Sequence, residues 1–107
     1  TSKDKILSSG SMALEYKPIP LEFELQSAYP NPFNPVTNLK FGLPVDSKVS
    51  IQIYNLQGQV VSTLLNDNMQ AGYHSVVWNA DEFGSGIYFV QMIAGDYIHT
   101  QKLMLVK

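Results

Sequence analysis

Cysteine and arginine are both missing from this 107-residue chain. Without cysteine there is no disulfide framework, no thiolate metal site and no cysteine nucleophile. The seven cations are all lysines, scattered singly against nine acids for a net charge of −2. A nucleic-acid partner needs clustered cations and favours arginine forks, so that function class is excluded. No apolar run approaches the ~20 residues that a membrane-spanning helix requires. The chain opens on Thr1 with neither an initiator Met nor the basic, apolar and small-residue succession of a signal peptide, which reads as the tail of a longer precursor.

The length fits one compact domain, large enough to build a core without a metal or disulfide staple, so no cofactor is expected. Residues 1–20 read as a linker or N-terminal arm. Ser8, Ser9, Gly10 and Ser11 form a flexible patch, Pro18 and Pro20 bracket Ile19, and only Met12, Leu14 and Tyr16 alternate as a short strand would. Residues 21–107 read as the folded domain.

Within it the apolar period is two throughout. Leu21, Phe23 and Leu25 alternate with Glu22, Glu24 and Gln26, the pattern of a half-buried strand. In Tyr29-Pro30-Asn31-Pro32-Phe33-Asn34-Pro35 the prolines remove backbone donors and rule out helix and central strand, so the chain must turn there. Phe33 is expected to pack inward and the Asn side chains to bond nearby backbone groups. Leu39, Phe41 and Leu43 form the next strand, and Val49, Ile51 and Ile53 the one after. Asn55-Leu56-Gln57-Gly58 then places Asn and Gly where a hairpin loop needs positive φ, leading to a partner strand over residues 60–65. Residues 72–78, 87–94 and 97–106 complete seven strands, the last two joined at Gly95-Asp96.

Short strands at this spacing, with turn chemistry between them and no helix, predict an all-β, immunoglobulin-like β-sandwich of about seven antiparallel strands. A five- or six-stranded barrel is the second choice. With no Cys pair to pin the sheets, Trp78 is expected inside with Phe41, Ile53, Tyr88 and Val90.

No catalytic constellation can be assembled. His74 and His99 sit singly in predicted strands, and Ser75 points to the opposite face from His74. Asp81 and Glu82 lie in a Gly-rich turn, where capping of backbone amides outweighs cation binding because no ladder of oxygen ligands accompanies them. Tyr29, Tyr54, Tyr73 and Tyr97 are candidates for the surface, which leaves an accessory carbohydrate-binding module as a minor alternative to a non-enzymatic structural or sorting role. At the end of the chain, Leu103 and Leu105 alternate with Met104 and Val106, so both faces of the last strand are apolar and one is available to a partner.

Six segments in order resemble one family. They are the Tyr29 to Pro35 run with Thr37; Phe41 with Leu43-Pro44; Ile53-Tyr54-Asn55-Leu56-Gln57-Gly58-Gln59-Val60-Val61; Gly72-Tyr73-His74 leading to Trp78; Ser85-Gly86-Ile87-Tyr88-Phe89; and Lys102-Leu103-Met104-Leu105-Val106-Lys107. Together they are similar to the type A C-terminal sorting domains (Por secretion tail family) of type IX secretion substrates in Bacteroidetes. The resemblance implies a sandwich fused behind a cargo domain, recognised by outer-membrane secretion machinery, exported to the cell surface or medium, and in many members cut off by a sortase-like peptidase. It further implies that the recognition surface lies in the last two strands, at Gly86, Tyr88 and Gly95 and above all at Lys102, Leu103, Met104, Leu105, Val106 and Lys107. Asn31, Pro32, Phe33, Asn34, Pro35, Tyr54, Gly58 and Trp78 are the structural motif residues. Strand addition to an edge of the sheet is one way such a domain docks. An alternative is homo-assembly on the surface, with Met12, Leu14 and Tyr16 as a donor strand for a neighbouring copy.

Overall fold

The computed structural model describes residues 19–107. Seven antiparallel strands form two packed sheets: β1 (Glu24–Leu25), β2 (Val36–Leu43), β3 (Ser47–Tyr54), β4 (Val60–Met69), β5 (Gly72–Asn79), β6 (Gly86–Ala94) and β7 (Tyr97–Leu105). One sheet has the order β1-β2-β5 and the other β4-β3-β6-β7. This is the predicted sandwich of immunoglobulin-like architecture, with the fourth strand placed on the sheet of β3, β6 and β7. The anticipated donor residues Met12, Leu14 and Tyr16 lie outside the described residues.

Alternation decides which side chains meet. Leu39, Phe41 and Leu43 of β2 face Val49, Ile51 and Ile53 of β3 and Val90, Met92 and Ala94 of β6, and all are fully buried. The corner between β5 and β6 is closed by an aromatic cluster in which Trp78 lies 5.4 Å from Phe33, 5.5 Å from Phe83 and 5.4 Å from Tyr88, centroid to centroid. The Tyr88 hydroxyl donates to the Gly84 carbonyl at 2.7 Å, the tyrosine-corner contact common in immunoglobulin-like sandwiches. Removing that hydroxyl in Tyr88→Phe should cost about 1 kcal/mol in a urea titration, the usual worth of one such bond.

Two details depart from the sequence reading. Leu21 is 96% exposed and β1 is only two residues long, so the alternation from Leu21 builds a strand only at Glu24 and Leu25. The chain bends at Leu21 and Glu22 after Pro20, whose ring lies over Gly42; a Cβ there would stand 2.7 Å from Pro20 Cγ. In the β3–β4 hairpin only Gly58 has positive φ, at 81°. Asn55 instead works through its side chain, Oδ1 accepting from the amides of Gln57 and Gln59 at 3.0 Å each.

Candidate recognition surface

The terminal strand is gripped from both sides. Along one edge it pairs with β6 from Gly86↔Leu105 to Ala94↔Tyr97. Along the other it meets residues 25–33 of its own chain. Phe33 bridges Leu105 in parallel, its amide donating to the Met104 carbonyl and its carbonyl accepting from the Val106 amide, both at 2.9 Å. Asn31 extends that ladder with its side chain: Nδ2 donates to the Lys102 carbonyl and Oδ1 accepts from the Met104 amide, each at 3.0 Å. Further along, Gln101 Nε2 donates to the carbonyls of Leu25 and Gln26 while its Oε1 accepts from the Ala28 amide, and the Leu25 amide donates to the Tyr97 hydroxyl.

The Pro-rich run is therefore an ordered turn with Phe33 buried, as its composition predicted. Asn31 does bond backbone groups, but those of β7 rather than of its own neighbourhood. The buried Thr37 hydroxyl donates to the Pro30 carbonyl at 2.7 Å and holds the turn from behind. Because the outer edge of β7 already has partners from Lys102 to Val106, strand addition finds no free ladder over that stretch. Asn31→Ala should cost about 1 kcal/mol, because two bonds are lost at an exposed edge where water can reach the Lys102 carbonyl and the Met104 amide. Equilibrium unfolding measures it.

The two faces of β7 are unequal. Leu103 and Leu105 point into the core and are inaccessible, and Tyr88 turns inward onto Trp78. Met104 and Val106 remain 38% and 48% exposed on the other side. There Met104 lies beside Ile87, and Lys102 beside Phe89, which in turn neighbours Tyr54 and through it Val60. This outer patch ends at a polar row running across all four strands. Gln52 Nε2 reaches Thr63 Oγ1 and Gln91 Nε2 reaches Thr100 Oγ1, each at 3.4 Å, with the Tyr54 hydroxyl at 3.0 Å from Gln52 Oε1. Gly86 and Gly95 stand at the two ends of β6 with φ of 152° and 60°, where the chain enters the strand and turns out of it.

A family model for the secretion system C-terminal sorting domain matches residues 27–107. The chain belongs to this family. It is a type IX sorting domain, and such domains mark proteins for export to the cell surface or the medium. A search of curated proteins returns no match.

Other candidate chemistry in the sorting domain resolves into structure. His74 is half-buried, its ring 5.4 Å from Phe41 and its Nε2 against the Gln70 carbonyl; His99 is exposed. In the turn after β5 the cap comes from Asn79, whose Oδ1 accepts from the Asp81 amide at 3.0 Å, rather than from Asp81 or Glu82. Among the described residues no three His, Asp or Glu side chains converge to hold a metal. No helix among them is long and apolar enough to cross a membrane. Tyr97, Gln101 and Thr37 carry bonds that sequence reasoning did not assign to them. Their signal was a polar residue at an inward-facing strand position, which calls for a buried partner.

Proposed function

We propose that residues 21–107 form a non-catalytic sorting module that directs an upstream cargo domain across the outer membrane, and that the machinery reads it through the outer face of β6 and β7. The observation that carries this reading is the split of the terminal strand. Leu103 and Leu105 are committed to the core and the strand's outer edge is occupied from Lys102 to Val106, so over that stretch the side chains of Lys102, Met104 and Val106, with Ile87 and Phe89 beside them, are the groups left to meet a partner. An apolar patch with one cation on it suits a protein surface that offers apolar side chains and a carboxylate. Lys107 sits at its margin, its amide bonded to Ser85 Oγ and its Nζ to the Asp81 carbonyl. A sortase-like peptidase acting on the segment that precedes the domain is the further partner this role implies.

The test fuses residues 21–107 to a reporter in a host with this secretion system. The double substitution Met104→Ser, Val106→Ser, and separately Lys102→Ala, should reduce surface or secreted reporter severalfold while the thermal melt by circular dichroism stays within a few degrees of the parent. Normal export by the folded double variant rules this face out as the docking surface.

A further inference from the structure

The opposite outer face, on the β1-β2-β5 sheet, holds a feature that lies away from the proposed sorting surface. A depression of about 420 Å³ is lined by Gln26, Lys40, Tyr73, His74 and Ser75. Beside it lies a second of about 280 Å³, lined by Gln26, Ser27, Tyr29, Asn38 and Lys40. Gln26 and Lys40 belong to both, so the two form one groove with Lys40 at its middle.

The register fixes its dimensions. Tyr73 stands opposite Gly42 on the β5 side of β2, and Tyr29 opposite Asn38 on the β1 side. Four residues along a strand and two strand spacings across it separate the tyrosines by about 16 Å on the diagonal. Tyr73 is 52% and Tyr29 78% exposed, far more than tyrosines kept for packing. Between the two rings the lining is amide, hydroxyl, the His74 imidazole and one ammonium, with no carboxylate. Glu24 stands at the Pro20 end outside the lining, its Oε2 accepting from Gln26 Nε2 at 2.9 Å.

We propose that this groove binds an acidic oligosaccharide, with a sugar ring stacked on each tyrosine and a carboxylate-bearing unit over Lys40. Flat aromatic faces take the apolar faces of sugar rings, and amides and hydroxyls pair with their hydroxyl groups. A single sugar does not span the groove; a short chain does. A peptide fits the site poorly. The groove crosses β2, whose main-chain groups are already paired with β1 and β5, so a peptide laid there gains no ladder bonds.

Nuclear magnetic resonance titration of the full chain with oligogalacturonate is the test, with cello-oligosaccharide of the same length and an oligoglutamate peptide in parallel. Oligogalacturonate should give saturable shifts at the amides of Asn38, Lys40 and Tyr73. Tyr29→Ala and Tyr73→Ala should each weaken it roughly two- to tenfold. Lys40→Gln should weaken it about fivefold and leave the weaker binding of the neutral oligomer unchanged. All three side chains are exposed, so the variants should keep the parent's circular dichroism spectrum. Absence of saturable shifts, shifts centred elsewhere, equal affinity for the neutral oligomer, or oligoglutamate binding as tightly would each overturn the proposal.

Discussion

Replacing Trp78 with alanine should cost the sorting domain about 3–5 kcal/mol, the range for emptying the place of a large core aromatic. The indole is 2% exposed and meets Phe33, Phe83 and Tyr88 at once, so no single neighbour can move in to fill the space it leaves. A domain of this size has a total of about 5–15 kcal/mol to lose, so the variant should be largely melted at growth temperature or close to it. One term works the other way. Trp78 Nε1 is buried with no hydrogen-bond partner, and alanine removes that unpaired donor too. Trp78→Phe, which removes the donor and keeps an aromatic ring, should accordingly lose much less than Trp78→Ala. Urea titration followed by circular dichroism measures both, since the chain's only tryptophan is absent as a probe. A loss under about 1 kcal/mol for Trp78→Ala would contradict the packing.

Phe33→Ala should be comparably damaging, about 3–5 kcal/mol, for a second reason besides the cavity. The ring anchors a main chain that bonds Met104 and Val106, so losing the anchor loosens the grip on the free edge of β7. Hydrogen exchange separates this from a uniform loss of stability: the Val106 amide should lose protection well before amides in the β3–β6 pairing. Asn31 and Phe33 hold the same strand, so the double variant should cost less than the sum of the two singles. Full additivity would mean that the two contacts act independently.

The alternation of apolar residues was enough to place six of the strands and to put Leu103 and Leu105 on one face and Met104 and Val106 on the other. It misled at Leu21, because a period of two over five residues describes an extended chain equally well when that chain bends at Leu21 and Glu22 before pairing with β2. The hairpin at Gly58 was legible because positive φ is a local demand that glycine meets alone. Asn31 was harder. Its bonds run to residues 71 and 73 positions away, and nothing in a local window reports a partner at that distance. For the same reason the β7 edge could be taken as open. Sequence shows that a strand has two edges, but only the register of the whole sandwich shows which one a distant turn occupies. Tyr88 was placed correctly in the core set: its ring packs edge-on against Trp78 and is half-buried there.

The embrace between the Asn31–Phe33 turn and β7 makes the fold a circle closed by its two ends. A chain that arrives in order from its N-terminal side has β1, the Pro-rich turn and five further strands in hand before the piece that locks them exists. Any product broken off before β7 keeps an open Phe33 pocket and an unmet Asn31, and it also lacks the face built from Lys102, Met104 and Val106. On the proposed reading of that face, a domain without β7 therefore loses its lock and its address together, because one strand supplies both.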